Sequence, residues 1–80
     1  MYRRTPGDEL TVHAIQITVN GEKRELVGRP SAPEMLAHLG INPALVAVAV
    51  NGAVVRRTDL PDTVLADGDR VEIVRAVGGG

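Results

Sequence analysis

Cysteine is absent from this 80-residue chain, as are phenylalanine and tryptophan, and Tyr2 is its one aromatic residue. Without cysteine there is no disulfide framework, no thiolate metal site and no thiol nucleophile. That composition suits a reducing compartment and makes the cytoplasm the default location. Without Phe or Trp the core must be built from Val, Leu and Ile, each worth roughly 1.5–3 kcal/mol when fully buried. Such a core can hold one small domain but not a large internal substrate pocket. Aromatic platforms for stacking bases are missing too. Nine basic residues against ten acidic ones, a net charge of −1, give no electrostatic pull toward nucleic acid or an anionic membrane. The opening MYRRTPGDELTVHA begins with arginines but has no continuous apolar stretch behind them, so it reads as neither a signal peptide nor a membrane anchor. Residues 1–10 are expected to be a mobile polar extension, residues 11–77 a single domain and residues 78–80 a flexible tail.

Groups that carry catalysis are scarce. Ser31 is the only serine, and a helix-capping role accounts for it, since a nucleophile needs a base and an orienting group beside it. His13 and His38 are far apart in sequence and outside any ligand-spaced cluster, so no metal site is expected. Asp67 and Asp69 flank Gly68 in a turn, where aspartates serve their backbone hydrogen bonds; the further ligands of a calcium loop are missing. The doublets Arg3-Arg4 and Arg56-Arg57 read as solvated surface, the second of them at the end of a short edge strand, where charge discourages edge-to-edge pairing.

What the chain does have is strand and turn chemistry. In AIQITVNGEKRELV, Ile15, Ile17 and Val19 alternate with Gln16 and Thr18, and Asn20-Gly21 is the pair that a two-residue hairpin turn prefers. The stretch LVAVAVNGAVV repeats this signal around Asn51-Gly52, with a first strand that is apolar on both faces. Between the hairpins, Ser31 and Glu34 have the spacing of a capping box and Gly40 stands at a left-handed C-terminal cap; Met35, Leu36 and Leu39 share one helical face. TDLPDT reads as a turn or single 3₁₀ turn, ADGD as a tight turn, and RVEIVRAV as the final strand. The expectation is strands near 13–19, 22–27, 46–50, 53–56 and 70–76 with one helix near 32–39, written in short as ββαββ. Packed as one mixed sheet of about five strands with the helix across one face and the last strand beside the first, this is the α+β, ubiquitin-like β-grasp architecture.

The chain then ends on Gly78, Gly79 and Gly80. Glycine orders at high entropic cost and cannot stabilise the domain, so the tail is either a frayed end or a slim arm that another protein grips. A carboxylate at its tip would be a poor electrophile until activated, and adenylation would supply the leaving group.

ITVNGEKREL, the helix ending HLG, VAVAVNG followed by valine and two arginines, ADGDRVEIV and the VGGG ending together resemble the ThiS family of sulfur carriers. The likeness covers about residues 15–80, in order and at nearly the family spacing. A double-glycine ending alone is shared with ubiquitin-like proteins and MoaD; DGDRVEIV joined directly to AVGGG is more specific. MoaD-like carriers have a longer, aromatic-containing segment before the helix and a proline-bearing approach to the tail, neither of which is here. The departure from the family pattern is the extension before about Thr11.

The resemblance implies a carrier and co-substrate, not an enzyme. The Gly80 carboxylate is adenylated with ATP by a ThiF-like adenylyltransferase, and sulfur drawn from cysteine by a desulfurase or sulfurtransferase displaces AMP. The resulting thiocarboxylate is consumed by a ThiG-like thiazole synthase. Gly78 and Gly79 form the slim approach; ATP and metal belong to partners, and no bound cofactor is expected. Docking is expected on the sheet face away from the helix, near the final strand. Val71 and Ile73 are expected in the core. Val74 and Ala76 share one side of the strand, with Val46 or Val48 near them, and are either a docking patch or core; Arg75 could pair with acidic groups on a partner. The alternatives are a carrier for molybdopterin, tRNA thiolation or cysteine synthesis, a ubiquitin-like modifier joined to lysines through Gly80, and a passive interaction domain.

Overall fold

A computed structural model describes residues 14–76; the extension over 1–10, His13, and the tail residues Gly78, Gly79 and Gly80 lie outside the described residues. Asn20 and Gly21 take φ of +50° and +86°, the positive values a type I′ turn needs at both central positions. They join β1 (Ala14–Val19) to β2 (Glu22–Val27) as an antiparallel pair, with Ala14 opposite Val27 and Val19 opposite Glu22. Asn51-Gly52 does the same between β3 (Val46–Val50) and β4 (Ala53–Val55).

Between the hairpins, α1 (Ala32–His38) is bounded by side-chain and backbone chemistry at both ends. The Ser31 hydroxyl accepts from the Glu34 N–H at 3.2 Å, and the Glu34 carboxylate accepts from the Ser31 N–H at 2.8 Å, a complete capping box. At the other end Gly40 takes φ +74°; its N–H donates to the Ala37 carbonyl and that of Ile41 to the Leu36 carbonyl, the paired bonds of a Schellman motif. The helix closes one residue before the expected limit because Leu39 is already its cap.

The last strand, β5 (Arg70–Arg75), is central: the sheet order is β2-β1-β5-β3-β4, with β5 parallel to β1 and antiparallel to β3. Three strands follow the helix, as the five expected stretches require, one more than the short form ββαββ states. Met35 and Leu36 of α1 pack with Ile17, Val19, Leu26, Val48, Val71 and Ile73 of the sheet in one buried cluster. Leu60, from a 3₁₀ turn over Arg57–Asp62, and Leu65 close that cluster from the side. This is the β-grasp arrangement, with an aliphatic core on one face of the sheet and, among the described residues, no second layer on the other.

Candidate functional site

Strand alternation decides what the sheet face away from α1 presents. In β5, Val71 and Ile73 point into the core, at 0% and 8% exposure, which leaves Glu72, Val74 and Ala76 on the outer side, with Val74 60% exposed. Val74 and Ala76 are therefore exposed and outside the core. The β3–β5 register corrects one expectation: Val48 lies opposite Ile73, is 1% exposed and belongs to the core, and Val46 packs against that core as well. The residue opposite Val74 on the outer face is Ala47, because residues paired across a ladder share a face. β3 is apolar on both faces, as expected, but among the described residues only one is covered.

Ala49 and, on the edge strand β4, its partner Val54, 74% exposed, continue this apolar strip. At the other end the Ala76 N–H donates to the Leu45 carbonyl at 2.8 Å, and Leu45 is 49% exposed. Leu45, Ala47, Val54, Val74 and Ala76 thus form a mainly apolar half of the sheet face beside the point where the chain leaves β5, with Glu72, opposite Ala49, at its inner border. The β1–β2 half of the same face is polar, carrying Gln16, Thr18, Lys23 and Glu25. A contiguous exposed apolar patch bounded by polar residues is the usual mark of an interaction site.

The root of the tail is held from both sides. On the β3 side the ladder reaches Ala76. On the β1 side, strand pairing ends at Val71, and the Asn20 carboxamide then takes both backbone groups of Ile73: Oδ1 accepts from its N–H at 2.8 Å and Nδ2 donates to its carbonyl at 3.0 Å. Arg75 is exposed and lies opposite Val46. Arg56 meets Asp59 at 3.3 Å, and Arg57 donates to the Pro43 carbonyl at 3.1 Å, bridging its own 3₁₀ turn to a second one over Pro43–Leu45 that precedes β3.

The aspartate turn behaves as turn chemistry. Asp67 accepts from the Gln16 N–H at 2.7 Å, and Asp69 accepts from the Ala66 N–H and the Asn51 amide. Sequence reasoning named Val74 and Ala76, which the structure places on this strip, and missed Leu45, Ala47 and Val54; Arg75, opposite the core-packed Val46, falls on the other side of the sheet. The signal for the three missed residues was the apolar run itself, once the register showed which alternate residues face outward. It also read Asn20 only as a turn residue.

Residues 17–80 match the model of the ThiS family. The chain is 38% identical over 64 residues to the sulfur carrier protein ThiS of Thermus thermophilus, covering 80% of this chain and 98% of that protein. It is 32% identical over 66 residues to a thiazole synthase of Paramagnetospirillum magneticum, covering 82% of this chain but 20% of that longer protein. The chain thus spans about a fifth of that relative's length. Among solved structures, a crystal structure of the thiamine biosynthesis protein ThiS from Geobacter metallireducens aligns with a TM-score of 0.73 at 33% identity, covering 82% of this chain and all of that one. A solution structure of a thiamine biosynthesis protein from the same organism aligns at 0.67, also 33% identical, covering 82% of this chain and 88% of the other. With a family match that runs to Gly80 and relatives of this likeness in both sequence and fold, the chain belongs to the ThiS family.

Proposed function

We propose that this chain is a sulfur carrier of thiazole formation in thiamin biosynthesis, with the Gly80 α-carboxylate as its reacting group. The observation that carries the reading is the exposed strip of Leu45, Ala47, Val54, Val74 and Ala76, which borders the exit of β5 on a fold whose family match continues through Gly80. A partner seated on that strip receives the tail directly. Residues 77–80 span at most about 14 Å when extended, and the chain has no cysteine and a single serine, which caps α1. The groups that do the chemistry therefore belong to the partner. ATP enters as the partner's substrate, and the cytoplasm is the setting.

In this mechanism a ThiF-like adenylyltransferase directs the Gly80 carboxylate onto the α-phosphorus of ATP, and pyrophosphate leaves. A partner persulfide, formed from cysteine by a desulfurase or sulfurtransferase, attacks the acyl carbon through its terminal sulfur and AMP leaves; a partner thiol then cleaves the S–S bond of the resulting acyl disulfide, forming a disulfide among the partner's thiols and releasing the thiocarboxylate on Gly80. A ThiG-like thiazole synthase then takes up the sulfur. Gly78 and Gly79 have no side chains to obstruct a narrow channel. The chain's own part is to dock through Val74 and Ala76, with Arg75 beside the tail on the opposite side of β5, and to deliver the arm. The likeness to part of a thiazole synthase favours thiazole formation over molybdopterin, tRNA or cysteine synthesis as the client.

The test is intact-mass analysis after incubation with a ThiF-like enzyme, ATP and a sulfur donor. Exchange of one terminal oxygen for sulfur, lost again when thiazole synthase and its substrates are added, is the expected result. An unchanged mass would sink the proposal, and covalent ladders on lysines in a cell extract would point to a modifier instead.

A further inference from the structure

On the β1 side of β5, strand partners run out before the strand does. The Thr18 N–H donates to the Asp69 carbonyl at 3.0 Å and the Asn20 N–H to the Val71 carbonyl at 2.9 Å; β1 then turns away at Asn20-Gly21. Ile73, the next residue of β5 to face that side, would be left without a strand partner. The two Asn20 carboxamide bonds to Ile73, at 2.8 and 3.0 Å and partly buried, replace one residue of the missing strand. The other hairpin grips the beginning of the same strand from the opposite side. The Asn51 N–H donates to the Arg70 carbonyl at 2.7 Å and its Oδ1 accepts from the Arg70 N–H at 2.9 Å. Two equivalent Asn-Gly turns thus clamp β5, and only the Asn20 clamp lies on the side of the tail.

We propose that Asn20 is a positioning residue for the tail: by completing the pairing of β5 at Ile73 it fixes the direction in which the last residues leave the sheet. This rests on the carrier reading above. A strand tied on both sides keeps its heading, whereas one tied to β3 alone can swing about that ladder. The partner would then have to order the strand end as well as the glycines before reaction, a cost that preorganisation removes. Small displacements at the base also grow along the arm, and displacements on the order of 1 Å at a reacting atom can cost up to a hundredfold in rate.

The test compares Asn20→Gly with Asn51→Gly. Glycine keeps the positive φ of either turn and removes only the carboxamide. Asn20→Asp is added because it keeps the acceptor for the Ile73 N–H and loses the donor to the Ile73 carbonyl. The readouts are thermal unfolding, hydrogen exchange of the Ile73 amide, and steady-state pyrophosphate release with a ThiF-like enzyme and ATP. Both glycine variants are expected to lose similar stability. Only Asn20→Gly is expected to deprotect Ile73 and to lose kcat, by roughly tenfold, with KM held within about twofold because the docking strip is untouched. Asn20→Asp falls between it and the unaltered chain. Equal kcat in Asn20→Gly and the unaltered chain, or parallel losses in the two glycine variants, would overturn the role of Asn20 and leave the carrier reading standing. An unaltered chain that releases no pyrophosphate would overturn both.

Discussion

Gly40 shows how a single residue's geometry translates into a measurable cost. At φ +74° it stands in the left-handed region, yet no atom lies within 4 Å of where a β-carbon would be placed. Gly40→Ala therefore carries no clash, only backbone strain, and is expected to cost about 1 kcal/mol. Thermal denaturation should show a Tm lowered by roughly 4–8 °C, with adenylation kinetics unchanged. Gly40, Ser31 and Glu34 were legible in sequence because each acts on backbone within a few residues of itself. Asn20 was legible only in part: its turn is local, but its carboxamide partner is 53 positions away. Asp67 repeats the lesson. Its residue type announced a turn, while the N–H it accepts, on Gln16, is 51 positions off and comes from the fold.

Among the elements, β5 separates two kinds of apolar residue that look alike in the sequence. Ile73 and Val74 are neighbours, one in the core and one on the surface. Val74→Asp is expected to leave stability within about 0.5 kcal/mol of the original, and to raise KM for the activating enzyme roughly tenfold by removing about 1–2 kcal/mol of apolar contact. Val27 is a built-in control: it is 64% exposed, on the same face, but at the far corner in β2. Val27→Asp should leave KM where it was. The expected placement of Val46 or Val48 beside Val74 failed for a definite reason. Alternation divides a strand's residues into two sets, but only the β3–β5 register, with Ala47 opposite Val74, decides which set meets which.

For the molecule as a whole, the aliphatic core sets how much damage the fold can absorb. Stability of roughly 4–12 kcal/mol is the ordinary range for a domain of this length. Leu36, fully buried beneath the sheet, is expected to cost about 2–5 kcal/mol when cut to alanine. Urea unfolding should show a clearly lower midpoint for Leu36→Ala, and tail modification should persist wherever the variant stays folded. The two long edges of the sheet are treated differently. The edge strand β2 turns Glu22 and Arg24 toward the core side, paired at 3.2 Å, a placement that discourages strand addition there. At the opposite edge, β4 is only three residues long and is followed directly by Arg56 and Arg57. The layer architecture was legible because two hairpins and one helix have few ways to share a core. The division of the outer face into a polar and an apolar half was not, since it depends on strand order.

The position of β5 in the middle of the sheet also has a mechanical meaning. A partner that draws the glycine arm into its channel pulls along the axis of the strand that carries it. That load falls in shear on the ladders to β1 and β3, so the backbone bonds and the Asn20 and Asn51 clamps share it. An edge strand held by one ladder would have fewer bonds to share the load and would tear away sooner. Placing the arm on the central strand therefore spreads any such pull over two ladders.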